Sequence, residues 1–201
     1  MTITMTYKRD LELYFHPSAF ATQSPKQSNA PISLTYLPAD SKPMNTTLRF
    51  HLQLLRASLQ ALPQSTTRIP DLLASVSQAW DTALTVVETE RRLNLETLTT
   101  ARIVSDEHLA IDAFVLLPKV KTKVMVSFSI TCRSSGGEGG GLTLESDVGV
   151  EAKVVYGEGY NDAKMTKFVN DRVARGLEGW DEVVRELRQR LEAQGLKGFR
   201  K

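Results

Sequence analysis

The stretch most suggestive of chemistry is a glycine-containing segment after an apolar run, VVYGEGYNDAKMTKFV. A strand that leads into Gly157 and Gly159 and then into a helix could present backbone N–H groups to a phosphate. A dinucleotide loop needs a third glycine in a parallel strand–helix–strand unit, and a triphosphate loop needs Gly-Lys-Ser/Thr. Neither pattern is present. The glycines are expected to allow a tight turn, with Asn161 or Asp162 capping the next helix.

Nucleophilic and metal-ligating side chains are few and scattered. Cys132 is the sole cysteine and shares the apolar parity of its segment, with no histidine beside it. That setting is typical of a small buried side chain and not of a catalytic thiolate. His16, His51 and His108 have no Cys or His neighbour at the spacing of a zinc site. We therefore predict no catalytic, cofactor-binding or metal-binding residues, and no enzyme.

The bulk composition is that of an ordinary globular chain. The 201 residues are 41% hydrophobic and 24% charged, which suits one domain or two small ones with a real core. A single cysteine excludes an internal disulfide and favours a reducing cytosol or nucleus. The 25 Lys and Arg against 23 Asp and Glu leave a charge of +2, too even to favour direct nucleic-acid binding. No apolar run approaches the roughly 18 residues of a membrane span, so no membrane partner is expected.

Alternation of apolar and polar residues marks the start of the chain as sheet. The segment ITMTYKRDLELYF predicts two strands with a bend at residues 8–10. A third short strand, ISLTYL, follows a proline-rich loop. Leucines at helical spacing predict a helix from Thr46 to Leu62, with Asn45 or Thr46 as its N-cap. Because the chain opens inside a sheet, it is expected to be a piece of something longer.

The rest of the chain predicts a helix, a meander of strands and two closing helices. The first of these helices has Pro70 and Asp71 in its first turn. Its predicted apolar line is Leu73, Val76, Trp80, Leu84 and Val87. The predicted strands are Leu109–Leu117, Lys123–Cys132 and Leu142–Tyr156. Short connections make neighbouring strands antiparallel, and helices gathered on one face of such a sheet make an α+β fold.

This order of elements resembles the RWD domain, a non-catalytic relative of the ubiquitin-conjugating fold. The chain is also similar to the C-terminal region of the fungal outer-kinetochore scaffold of the kinetochore-null (blinkin, Spc-seven) family. The similarity covers about Thr6 to Leu196 and is carried by several runs: MTYKRDLELYFHPSAF, TTLRFHLQLLRASLQALPQSTTRIPDLL, SQAWDTAL, LLPKVKTKVMVSF and AKVVYGEGYNDAKMTKFV. His16-Pro17-Ser18 is similar to the His-Pro-Asn turn of ubiquitin-conjugating enzymes, but no cysteine follows until Cys132.

The resemblance implies a tandem pair of RWD modules after a coiled coil. Residues 1–66 would be a partial N-terminal RWD-like half without its leading helix and first strand, and residues 67–201 a C-terminal RWD domain. In that family this region docks onto the MIND (Mis-twelve) complex, mainly through a peptide tail of that partner. A coiled-coil kinetochore partner would bind the upstream region. The implied protein is a non-catalytic scaffold for chromosome segregation and spindle attachment, placed in the nucleus at the kinetochore. The alternative is an RWD-type accessory protein of ubiquitin or ubiquitin-like conjugation without its own catalytic cysteine.

A partner-binding site is expected at an open edge of the small antiparallel sheet, where an extended peptide can add a strand. The candidate edge is the first strand of the meander, Leu109–Leu117, with Phe114 and Leu116 as apolar anchors. Three nearby lysines could receive an acidic tail: Lys119, Lys121 and Lys123. The alternative, that Phe114 and Leu116 are core side chains, stays open at this point.

Overall fold

The computed structural model describes residues 2–20, 30–37, 44–136, 142–157, 159–173 and 176–193. The chain divides into two compact units. Unit 1 comprises residues 1–83 and 132–145, and unit 2 comprises residues 84–131 and 146–201. The division into domains 1–66 and 67–201 stays a prediction, because these units do not test whether either part folds alone. In the described part of the chain, no helix has both the length and the apolar character needed to cross a membrane.

Unit 1 contains an antiparallel sheet whose three strands lie in chain order. The strands are β1 (Ile3–Tyr7), β2 (Leu11–Phe15) and β3 (Ser33–Tyr36). The prediction of two strands and a bend is confirmed. At the bend, the Asp10 N–H donates to the Tyr7 carbonyl at 3.1 Å, and Lys8 and Arg9 have positive φ angles of 48° and 63°. Two left-handed residues in succession match the twist of the flanking strands, which makes the hairpin tight.

Two helices follow this sheet, α1 (Thr46–Ala61) and α2 (Ile69–Glu96), and α2 continues into unit 2. Of the two predicted caps of α1, Asn45 and Thr46, it is Asn45 that caps the helix, by accepting the N–H of Thr47 at 2.7 Å. Pro70 and Asp71 lie in the first turn of α2, also as predicted. Proline needs no N–H partner at that position, and the aspartate complements the positive end of the helix dipole.

The core of unit 1 forms from the inward residues of the sheet and the apolar faces of both helices. Its fully buried large side chains include Leu11, Phe15, Phe50, Leu55, Leu59, Leu72 and Trp80. The leucine stripe of α1 is confirmed. The apolar line of α2 is partly wrong: Val76 and Trp80 are buried, but Leu72 is buried in place of Leu73, which is half-buried. Adjacent stripes on a helix look alike in sequence, and the packing partner decides which of them faces the core.

A second sheet has the strand order β4, β5, β6, β7, and its residues belong to unit 2 except for those within 132–145, which belong to unit 1. The strands are β4 (Leu98–Ser105), β5 (His108–Leu117), β6 (Thr122–Gly136) and β7 (Leu142–Tyr156). β5 pairs antiparallel with both β4 and β6, so the antiparallel meander is confirmed. Helices α3 (Asp162–Asn170) and α4 (Trp180–Ala193) follow. Antiparallel sheets with helices segregated from them make the fold α+β and RWD-like, as predicted.

The core of unit 2 lies between one face of this sheet and the closing helices. Along β5 the odd-numbered residues from Leu109 to Leu117 are buried, and along β6 the even-numbered residues from Val124 to Ile130 are buried. Phe128 of β6 stacks on Trp180 of α4, with ring centroids 4.3 Å apart and planes 1° from parallel. The even-numbered residues of β5 and the odd-numbered residues of β6 therefore lie on the face away from these helices.

Candidate partner-binding surface

The strand predicted as an open edge is not an edge. β5 has β4 on one side and β6 on the other. Phe114 of β5 lies opposite Leu98 of β4 and opposite Met125 of β6. The prediction was wrong because residues 98–105 form a strand that the sequence pattern did not reveal. That segment, LTTARIVS, carries few large apolar residues and alternates weakly. A peptide cannot add a strand to β5, since both of its sides are already paired.

Phe114 and Leu116 nevertheless lie on a surface and not in the core. They have the even parity of β5, which points away from the helices, and Leu116 is 57% exposed. Leu98 is 64% exposed, and Phe114 and Met125 are half-buried. The register places Leu98, Phe114 and Met125 side by side across three strands. The sequence did not predict Leu98 as part of this apolar row because it did not predict β4. Met125 was recognisable, since it is an apolar residue at an odd-numbered position of β6, where its neighbours of the same parity are polar.

The three predicted lysines lie at the same end of the sheet. Lys123 is paired with Leu116 across β5 and β6, and its Nζ lies 4.0 Å from the ring centroid of Phe114. Lys119 lies in the short 3-10 helix that joins the two strands, and Lys121 follows it with a φ of 50°. The ion pairs formed among the described residues include none of these lysines. We call Leu98, Phe114, Leu116 and Met125 with Lys119, Lys121 and Lys123 the lysine-rimmed patch.

Further along the same face, a polar cluster ends the patch. Arg102 donates from Nε to Asp112 Oδ2 at 2.9 Å, and Ser127 Oγ donates to Asp112 Oδ1 at 2.6 Å. Asp112 is only 7% exposed, and its charge is balanced by the Arg102 guanidinium, while the Ser127 hydroxyl adds a hydrogen bond. The buried carboxylate therefore does not offset the positive charge of the lysines.

The outer edge of β7 is covered by side chains of α3. Thr166 Oγ1 accepts the N–H of Ala152 at 2.9 Å and donates to the Ala152 carbonyl at 3.0 Å. Asn170 donates to the Val150 carbonyl at 3.1 Å, and the Val154 N–H donates to Asp162 at 3.0 Å. These bonds occupy the backbone groups to which an added strand would bind. β4, in contrast, has β5 as its one strand neighbour within the described part of the chain.

The glycine segment is a joint, as predicted. Gly157 and Gly159 have φ angles of 93° and 109°, which glycine adopts at no steric cost. A Cβ on Gly157 would lie 2.6 Å from Thr122 Oγ1 and 2.9 Å from the Lys121 carbonyl oxygen. Asn161 Oδ1 accepts the N–H of Lys164 at 3.0 Å and caps α3. The glycines thus let β7 turn into α3 against the start of β6.

The cysteine and the histidines occupy separate places. Cys132 is buried, and burial raises the pKa of its thiol to about 11. His51 is buried in α1, and His108 Nδ1 lies 2.8 Å from Ser105 Oγ at the turn between β4 and β5. Among the described residues, no three of the side chains that bind metals come together. A thiol with so high a pKa is a poor nucleophile near neutral pH.

A comparison with protein families matches residues 1–87 to the family described as the Knl1 RWD C-terminal domain. No curated protein and no solved structure matches the chain. The matched segment holds the sheet of unit 1, α1 and most of α2, and the lysine-rimmed patch lies beyond it. Residues 1–87, less than half of the 201-residue chain, are therefore similar to the Knl1 RWD C-terminal domain.

Proposed function

We propose that this chain is a non-catalytic docking module of a kinetochore scaffold and that it binds the MIND (Mis-twelve) complex through the lysine-rimmed patch. The observation that carries this proposal is the exposure of Leu98 and Leu116, at 64% and 57%, beside three lysines. Exposed apolar side chains with a charged rim are typical of protein-binding surfaces. The similarity of residues 1–87 to the Knl1 RWD C-terminal domain supports the scaffold role.

The expected occupant is a tail of the partner that carries both acidic and apolar residues. Leu98, Phe114 and Leu116 would receive apolar side chains, and the lysines would attract carboxylates and speed association. Because β5 is paired on both sides, the tail would lie across the outward side chains and not extend the sheet at that strand. This differs from strand addition at Leu109–Leu117, which the structure excludes.

Docking of this kind would hold the scaffold at the kinetochore in the nucleus and support chromosome segregation and spindle attachment. A coiled-coil kinetochore partner of the region preceding this one belongs to the same proposal. Burial raises the pKa of the Cys132 thiol to about 11. This supports a role in binding and not in catalysis. An RWD module without a reactive thiol acts through its surface.

The test is a titration of purified MIND complex with the 201-residue chain and its variants by isothermal calorimetry. Leu116→Asp should weaken binding at least tenfold, roughly 1.4 kcal/mol, by placing a charge among the anchors. Val104→Asp is the matched control, because Val104 is similarly exposed at 56% but lies near the opposite end of β4. Both variants should stay folded, since the replaced side chains are mostly in solvent.

Charge is tested by a second pair of variants. Lys121→Glu should weaken binding several-fold and reduce its dependence on salt, because it removes an attraction to the acidic tail. Lys167→Glu, an exposed lysine on α3, should leave the affinity within a factor of two. Equal affinity of the parent, Leu116→Asp and Lys121→Glu would show that MIND binds elsewhere. Absence of binding at micromolar concentrations would refute the proposed function.

A further inference from the structure

The outer side of β4, in unit 2, combines an unpaired strand with exposed apolar side chains. Leu98 and Val104 lie near the two ends of the strand, and both are more than half exposed. Leu95, in the last turn of α2 directly before the strand, is 76% exposed. Among the described strands, β4 pairs with β5 alone. We call residues 98–104 the β4 edge. An edge of this kind is a template for pairing with another chain.

The backbone groups available at the β4 edge belong to its odd-numbered residues. The Thr99 N–H donates to Asn94 Oδ1 at 3.3 Å, so it points away from β5. In an antiparallel strand the N–H and C=O of one residue point to the same side, and successive residues alternate. Ala101 and Ile103 therefore also direct their backbone groups outward, and both residues are only half-buried. The bond from Thr99 to Asn94 is long and lies at the end of the strand, so an incoming strand can replace it.

The charge of the β4 edge allows two copies of it to approach each other. The sequence of β4, LTTARIVS, contains no lysine, proline or acidic residue, and these are the residues that commonly prevent sheet edges from pairing. Its one charged side chain, Arg102, donates from Nε to Asp112 Oδ2 at 2.9 Å. Asp112 lies on β5, so the ion pair holds the guanidinium away from the open side. The register shift between Ile103 and Ser105 limits regular pairing to the residues before it.

The exposed apolar residues of the β4 edge are spaced symmetrically about Ala101. If two copies pair antiparallel with a two-fold axis at Ala101, Leu98 of each copy lies beside Val104 of the other. An axis at Thr100 would instead place Leu98 opposite Arg102. An axis at Arg102 would set two guanidiniums opposite each other. The register centred on Ala101 is therefore the one in which the exposed apolar side chains of two copies cover each other.

We propose that the β4 edges of two copies of this chain pair antiparallel about Ala101 and join their two sheets into one. The outward backbone groups of Thr99, Ala101 and Ile103 form the bonds between the copies. So short a contact buries less than the roughly 800 Å² per partner of a standard interface, so the dimer is weak, with a Kd on the order of 100 µM. Since the two-fold axis is perpendicular to the sheet, both lysine-rimmed patches lie on one face of the dimer. The pairing does not depend on what the patch binds.

The first test is sedimentation velocity of the 201-residue chain between about 10 and about 500 µM. The sedimentation coefficient should rise with concentration towards that of a dimer. Ala101→Pro removes an outward N–H and no bond to β5, so it should stay folded and weaken dimerisation about tenfold or more. Val104→Lys should weaken dimerisation about fivefold or more, because it places a charge beside Leu98 of the second copy. Leu116→Lys is the matched control, since Leu116 is as exposed but lies on β5, and its dimerisation should stay within about a factor of two of the parent.

Disulfide trapping tests the register. Ala101→Cys places two thiols across the axis, where the Cα atoms of a hydrogen-bonded antiparallel pair lie about 5.5 Å apart, within the range of a disulfide. Oxidation with diamide should convert this variant to a covalent dimer on a denaturing gel. Val104→Cys is the control, because Val104 is more exposed but would lie about 20 Å from its symmetry mate at roughly 3.4 Å per residue. It should crosslink about fivefold more slowly or less. The native Cys132 is buried, so the parent should give little covalent dimer.

Three results would overturn the proposal. The chain could stay monomeric at about 500 µM. Ala101→Pro and Val104→Lys could dimerise as strongly as Leu116→Lys, which would place the contact on another surface. Val104→Cys could crosslink as fast as Ala101→Cys, which would indicate random collision and not a register centred on Ala101. None of these results bears on MIND binding, which is measured at concentrations where the chain is monomeric.

Discussion

Phe128 and Trp180 stack face to face, with ring centroids 4.3 Å apart and both side chains fully buried. The pair joins the sheet of unit 2 to α4, and the Trp180 indole N–H also donates to the Gly176 carbonyl at 3.1 Å. One contact therefore combines a large buried apolar area with a satisfied polar group. The stack packs α4 against β6 in unit 2.

Replacing that tryptophan should be costly. Trp180→Ala removes a fully buried aromatic side chain, and we expect a loss of about 3–5 kcal/mol in the free energy of unfolding. Trp180→Phe retains the ring stacking and should lose clearly less. Urea unfolding followed by circular dichroism measures both. A loss below about 1 kcal/mol for Trp180→Ala would contradict the central role of the stack.

Replacing Gly157 by alanine is predicted to destabilise the protein far more than the same replacement at Gly179, another glycine with positive φ. Gly157→Ala combines a left-handed φ of 93° with a Cβ 2.9 Å from the Lys121 carbonyl oxygen and the Thr122 Cα. Because backbone atoms must move, we expect a loss of about 2–3 kcal/mol. Gly179 is the matched control, since it has a φ of 77° and no atom within 4 Å of the added Cβ. Gly179→Ala should cost only about 1 kcal/mol, and equal losses in the two variants would argue against the clash.

The hairpin of unit 1 offers a stabilising substitution. Arg9 is exposed with a φ of 63°, and Arg9→Gly should raise the free energy of unfolding by about 0.5–1 kcal/mol by removing the left-handed strain. Lys8 has a φ of 48°, but its Nζ lies 2.7 Å from Asp81 Oδ1. Lys8→Gly should therefore gain less, because it loses that ion pair. Thermal unfolding distinguishes the two, and a lower melting temperature for Arg9→Gly would contradict the prediction.

His51 should make unit 1 sensitive to acid. Its Nδ1 lies 2.8 Å from the Thr47 carbonyl, and its Nε2 has no hydrogen-bond partner among the described residues, although the side chain is only 3% exposed. Burial lowers the pKa of His51 below the ordinary value of 6.5, and the bond to Thr47 opposes this only in part. The unfolded state then binds a proton at a higher pH than the folded state. Stability should be full above pH 6.5 and fall as the pH drops from there towards the folded pKa.

The measurement is the free energy of unfolding in urea between pH 7.5 and pH 5. His51→Leu keeps an apolar side chain of similar size and removes the titrating group. The parent should lose stability over this range more steeply than the variant. Identical slopes would show that His51 does not carry the effect.

Several local features of this chain follow from its sequence because they depend on neighbours along the chain. The alternation of residues 3–15 predicts both strands of the first hairpin and its bend. The cap of α1 is narrowed to Asn45 or Thr46 and that of α3 to Asn161 or Asp162, and in the structure Asn45 and Asn161 form the caps. The glycine turn at Gly157 is recognisable as a joint, because the pattern around it lacks what a phosphate loop needs. The parity of β6 places Lys123 and Met125 outward, as the structure does.

What the sequence could not decide is which strand lies beside which, and which side chains remain uncovered. The weak alternation of Leu98–Ser105 hid β4, and β5 was therefore taken for an edge. The backbone groups at the outer sides of β3 and β7 are contacted by the helix that follows each strand, through Arg56 and Thr166, and the alternation within the strands does not reveal this. Local periodicity reports the face a residue prefers, whereas exposure depends on contacts between distant segments. The sequence by itself therefore determined most of the elements, though not β4, and narrowed each predicted helix cap to two neighbouring residues. Only the tertiary structure determined the surfaces available to a partner.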